Sequence, residues 1–145
     1  MPVIVIGADT PEGTEVTRFL ATPGREVRAF VSDPGIAGEL KGLGVKVAIG
    51  DVSDESHVGA AALQCFSAVL MTVAAIDDRE RSFSRTPQEV LDGWGRAIAE
   101  AGVRRGIWVG RFEPGTEWTR EQVVVDPSAA ALPAKVAALD DARTL

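Results

Sequence analysis

The chain has no tyrosine, one cysteine (Cys65), one histidine (His57), and no apolar run approaching the length of a membrane span. Each shortage removes a class of explanation. Without tyrosine there is no phenol to act as a catalytic acid or base. One cysteine excludes an internal disulfide, and with one histidine it cannot supply the usual zinc ligand sets, so no metal site is expected. The 15 Lys and Arg against 21 Asp and Glu give a formal charge of −6, and no basic cluster lies beside aromatic residues. Such a surface repels phosphate backbones, so neither nucleic acid nor a membrane is an expected partner. The opening MPVIVIG lacks a basic segment followed by a signal-like apolar region, so it reads as a strand and the cytoplasm is the expected compartment.

What remains is ordinary globular material. With 145 residues, 46% hydrophobic and 25% charged, the chain fits one domain spanning 1–145 with a real core. Val3 to Ile6 is an unbroken apolar, β-branched run ending at Gly7, the pattern of a strand buried on both faces. Thr10 can cap a helix that begins at Pro11, and Pro23-Gly24 stops it. Further strands are predicted at Val27 to Val31, Val45 to Ile49, Ala68 to Val73 and Ile107 to Val109, with a sixth at Gln122 to Val125. Helices are predicted around Ala37 to Lys41, after a cap at Ser53 or Asp54, from the Thr86-Pro87-Gln88-Glu89 capping box to Ala101, and from Pro133 to Arg143. Strands alternating with helices predict a doubly wound, Rossmann-like parallel sheet of five to six strands with helices on both faces.

Directly after the first strand comes Gly7-Ala8-Asp9-Thr10-Pro11-Glu12-Gly13, at the place where this fold seats a pyrophosphate on a helix N-terminus. The segments VRAFVSDP, GVKVAIGDVSD, AVLMTVAA and AGVRRGIWVG follow in order. With that loop, the series over residues 3 to 110 resembles the nucleotide-binding core of NmrA-like and related atypical short-chain dehydrogenases. The resemblance implies a nicotinamide dinucleotide cofactor contacted by Gly7, Ala8, Thr10, Glu12, Gly13, Asp51 and Ala74. Asp33 lies 20 residues beyond Gly13, where an acidic residue meets the ribose hydroxyls, although Asx turn chemistry explains it equally well. Asp51 is equally open to a role capping the next helix.

Several departures shape the expectation. Such proteins usually carry Gly-Ala-Thr-Gly-x-x-Gly, whereas Thr10 occupies the middle glycine position and crowds the phosphate approach. Relatives that use NADP(H) often carry arginine near the position of Ser32, so NAD(H), bound weakly, is favoured over NADP(H), and no cofactor at all remains an alternative. The family's Tyr-x-x-x-Lys pair is absent, and Gly110-Arg111 stands where a serine is common. Only 36 residues follow Val109, a short C-terminal extension over 111–145, so a small-molecule pocket needs those residues or a second copy, in a homodimer, as its wall.

The charged run Asp77-Asp78-Arg79-Glu80-Arg81 after the fourth strand and Arg111 after the fifth fall at strand ends that converge on the crevice. Asp77, Asp78 and Arg111 are therefore the candidate catalytic residues, set against a solvated salt-bridged loop. His57 is expected to face solvent, Cys65 to be a buried small hydrophobe, Trp94 and Trp108 to be core, and Trp118 to line a pocket or a subunit contact. Three functions fit, in this order: a divergent NAD(P)-binding enzyme without the Tyr-Lys pair, a cofactor-independent isomerase, cyclase or lyase using Asp and Arg, and an NmrA-like regulatory module.

Overall fold

A computed structural model describes all 145 residues. Six strands, β1 (Val3–Ile6), β2 (Val27–Val31), β3 (Lys46–Ile49), β4 (Ser67–Met71), β5 (Arg105–Val109) and β6 (Glu121–Val125), form one sheet in the order β3-β2-β1-β4-β5-β6. Every neighbouring pair is parallel. This is the doubly wound α/β arrangement the sequence predicts, with its switch point between β1 and β4.

Alternation along the central strands divides the core in two. Val3, Val5, Val69, Met71, Ile107 and Val109 point to one face, against α1 (Pro11–Leu20), α2 (Ala37–Gly42) and α5 (Leu132–Asp141). Ile4, Ile6, Ala68, Leu70 and Trp108 point to the other, against α3 (Glu55–Ala62) and α4 (Pro87–Glu100). Thr10 and Thr86 cap α1 and α4, each ahead of a proline that needs no partner for a missing N–H. Asp54 caps α3, accepting from the His57 N–H at 3.3 Å.

Several boundaries move for identifiable reasons. The fourth strand ends at Met71 instead of Val73, and Thr72–Ala75 turns away as a 3-10 helix while the Thr72 hydroxyl donates to the Val109 carbonyl at 3.0 Å. The fifth strand starts two residues before Ile107, at Arg105, whose buried guanidinium takes an ion pair with Glu121 at 2.8 Å. The same group donates to the carbonyls of Leu139 and Ala142 at 2.7 and 2.6 Å, so it pins the C-terminal end of α5 to the sheet.

Candidate functional site

The site grows from the turn after β1. Gly7 sits at φ +82°, and a Cβ there would stand 2.9 Å from Cβ of Ala74, so the 3-10 turn after β4 packs directly onto this glycine. At Gly13 a Cβ would overlap the Gly7 carbonyl oxygen. Both glycines are thus demanded by backbone packing, whichever ligand approaches. Thr10 is buried, its hydroxyl donating to the Gly7 carbonyl at 2.8 Å and accepting the Gly13 N–H at 3.1 Å.

That internal wiring takes up the donors a diphosphate uses. Pro11 has no N–H, the Gly13 N–H is taken by Thr10, and the Thr14 N–H donates to the Thr10 carbonyl at 2.8 Å. Of the first turn of α1, only the Glu12 N–H remains outside these bonds, next to its own carboxylate. The cradle has the shape for a dinucleotide but a thinner set of phosphate donors than an open glycine loop offers.

Two compartments flank this turn at the carboxyl ends of the strands. On the β2 and β3 side, a polar groove of about 570 Å³ is lined by Asp9, Ser32, Asp33, Asp51 and the loop from Asp77 to Ser82. On the β5 and β6 side, an apolar cavity of about 450 Å³ is lined by Met71, Val73, Ile76, Leu91, Val109 and Phe112, with Glu12, Thr72 and Arg111 at its polar edge.

The groove is organised around Arg79. Its guanidinium grips Asp77 through two bonds of 2.8 Å and reaches Asp9 at 2.9 Å and the Ser32 hydroxyl at 3.3 Å. The other Asp9 carboxylate oxygen accepts the backbone N–H groups of Ser32 and Asp33 at 2.9 and 3.0 Å. Arg81 adds bonds to Asp77 and to the Ala74 carbonyl. With Arg79 only 12% exposed and Asp9 only 6%, Asp77, Arg79 and Arg81 form a partly buried salt-bridged network with Asp9, while Asp78 and Glu80 stay exposed. Burial pushes the Asp77 carboxyl up, but the Arg79 hydrogen bonds and charge outweigh it and hold it below the usual carboxylate value.

Asp33 turns its carboxylate to the Gly35 N–H at 2.8 Å, the Asx geometry that competed with a ribose contact. Asp51 does not cap α3, which falls to Asp54. It accepts from the N–H and hydroxyl of Ser53 at 2.8 and 2.6 Å and from the Ser82 N–H at 2.7 Å, which ties the loop after β4 across the groove. Burial raises its carboxyl, and the Ser53 hydroxyl together with the Ser82 N–H outweighs that and lowers it.

The three candidate catalytic residues do not gather in one place. Asp77 and Asp78 line the polar groove, whereas Arg111 lines the apolar cavity, 70% exposed and 3.5 Å from Asp126. His57 departs from the expected solvent-facing position: half-buried, it meets Phe30 edge-on at 4.9 Å and lies against Gly50, where there is no Cβ to obstruct it. Trp118 packs its indole onto Gly95 of α4. Cys65, Trp94 and Trp108 are buried as expected. Sequence reasoning missed Asp9 and the central place of Arg79. The available signal was an aspartate two residues past the first glycine of the loop, at the end of the strand beside β2.

Among solved structures the chain is similar to triphenylmethane reductase of Citrobacter sp. complexed with NADP(H), at TM-score 0.62 and 21% identity over 76% of this chain and 37% of that one. It is similar to the NADPH-dependent quinone oxidoreductase of Escherichia coli complexed with NADPH, at TM-score 0.61 and 21% identity over 74% of this chain and 36% of that one. A putative epimerase of Bacteroides thetaiotaomicron matches at TM-score 0.57 and 22% identity over 75% of this chain and 46% of that one. At these identities the likeness is one of fold, and this chain spans less than half the length of each of these three. No curated protein matches the sequence. The model of the NAD(P)H-binding family matches residues 7–144, which covers nearly the whole chain and includes the glycine turn, the polar groove and the apolar cavity, so the chain belongs to the NAD(P)H-binding family.

Proposed function

We propose that the chain binds NAD(H) and serves as the cofactor-holding part of a reductase-like protein acting on a small organic molecule. The observation that carries this is the placement of a glycine turn between a polar groove and an apolar cavity, at the switch point where this fold receives dinucleotides. Gly7 and Gly13 shape the turn, the Glu12 N–H offers a phosphate donor, Ala74 packs on Gly7, and the groove, with Asp51 in its lining, accepts the adenosine end. The apolar cavity then receives the nicotinamide with its substrate. When bound, the dihydronicotinamide supplies a hydride.

The residues present bear on specificity and on the proton. The groove carries Asp9, Asp33, Asp51, Asp77, Asp78 and Glu80 against Arg79, so a dianionic 2′-phosphate is disfavoured while ribose hydroxyls find acceptors. Asp77, kept ionised by two arginines, is badly suited to donate a proton at neutral pH. Arg111, at the edge of the cavity, is the side chain we assign to a carboxylate or developing negative charge on the substrate. The cofactor-independent alternative needs Asp77 or Asp78 beside Arg111, and these sit in different compartments. A second copy of the chain is the partner we assign to the cavity mouth, where Ile76 is 63% exposed.

Calorimetric titration with NAD+, NADH, NADP+ and NADPH tests the proposal. Weak binding of NAD(H) with weaker binding of NADP(H) is expected. Tight NADPH binding overturns the preference, and no binding of any of the four overturns the function.

A further inference from the structure

We infer that Asp9, in the glycine loop, is the residue that sets cofactor preference, because its carboxylate occupies a ready-made phosphate seat at the end of β2. The inference rests on the proposed binding of NAD(H). Four donors define the seat: the consecutive N–H groups of Ser32 and Asp33, the Arg79 guanidinium, and the Ser32 hydroxyl, whose O–H can donate while its oxygen accepts from Arg79. Two adjacent backbone N–H groups beside a guanidinium form the donor set that takes up a phosphate monoester. Their location, past the second strand of the fold, is where the ribose 2′ position is read.

In this chain the seat already holds an anion. One Asp9 oxygen accepts both backbone N–H groups and the other accepts Arg79 at 2.9 Å, which fixes a nearly buried carboxylate where a 2′-phosphate would bind. A carboxylate has about four lone-pair positions and three are in use, so one ribose hydroxyl can still donate to it. A phosphate cannot: it must displace Asp9 and leave two negative groups competing for one guanidinium that Asp77 already grips. The Asp33 carboxylate turns to the Gly35 N–H and takes no bond from Arg79 or from the two backbone N–H groups, so it lies outside the seat. Selectivity against NADP(H) therefore comes from an acid 24 residues earlier in the chain than the Asp33 N–H it binds.

The experiment compares wild type, Asp9→Ala and Asp9→Ser in calorimetric titrations with NAD+, NADP+ and adenosine 2′,5′-bisphosphate, with melting temperature as the control for folding. Vacating the seat should tighten NADP+ and the bisphosphate at least tenfold and weaken NAD+ severalfold, and adding Arg79→Met to Asp9→Ala should abolish the gain. The serine variant keeps a polar group on the two backbone N–H groups, so it reports on the seat even if the alanine variant folds badly. If wild type binds NAD+ and neither folded variant gains affinity for the bisphosphate, the role of Asp9 is wrong while the proposed function stands. If no variant binds any of the three, both fail.

Discussion

At the scale of single residues, the glycine loop is held by contacts that are sensitive to one methyl group. Gly13→Ala places a Cβ on the Gly7 carbonyl oxygen, a backbone clash with no flexible side chain to yield. A loss of about 1–3 kcal/mol in unfolding free energy is expected by denaturant titration, together with loss of nucleotide binding. Thr10→Gly works in the opposite direction on the ligand. It frees the Gly13 N–H and opens the approach to the loop, so dinucleotide affinity should rise, while the lost cap and buried hydrogen bond lower stability by about 1 kcal/mol. Unchanged affinity in a folded Thr10→Gly protein would show that the loop is not a phosphate site.

At the scale of elements, two connections depend on charged side chains. The loop between β4 and α4 is held over the groove by Asp51, through the Ser82 N–H, and by Arg81 on the Ala74 carbonyl. Asp51→Ala should speed amide exchange across residues 77–84 while exchange in β1 and β4 stays slow, which separates a loosened loop from a loosened fold. Helix α5 is anchored by Arg105, a buried cation facing Glu121 and the last carbonyls of that helix. Arg105→Met leaves those carbonyls without their donor and Glu121 with only the Leu145 N–H and the more distant Arg104, and should cost about 3–5 kcal/mol by chemical denaturation. A near-neutral result would mean that the buried face of α5, with Leu132, Val136 and Ala137, and the Arg25 ion pair with Asp141 hold the helix without Arg105.

At the scale of the whole molecule, the acidic excess makes stability depend on pH in a direction the carboxylates fix. Asp51 and Asp77 are held below their ordinary value in the folded chain, so the unfolded chain takes up protons first as pH falls. Their stabilisation is complete above the unfolded value of about 3.9 and is lost as pH drops through the lower folded values. Melting temperature should therefore be level from neutrality to about pH 5 and fall below it. Asp77→Asn should melt lower at pH 7, because Arg79 loses its bidentate partner, and should show a shallower acid slope. An acid slope equal to that of wild type would show that Asp77 is not coupled to folding.

What the sequence by itself determined is what local pattern and covalent chemistry decide. The unbroken VIVI run, proline after a capping threonine, and regular alternation of strands and helices specify the parallel sheet, because burial periodicity and capping act over a few residues. The missing tyrosine rules out phenol chemistry in any fold. Only the tertiary structure decided how the charges pair. Asp9, Ser32, Asp33 and Arg79 are up to 70 residues apart along the chain and meet because β1, β2 and β4 end side by side. Whether Asp33 or Asp9 faced that meeting point depended on which backbone N–H groups were left unpaired at the end of β2, and Asp33 had a nearer partner in Gly35. Likewise Asp77 and Arg111 both follow strand ends, but the chain leaving β4 crosses over Gly7 and carries Asp77 to the β2 side of the sheet, so adjacency of β4 and β5 did not bring the two into one site.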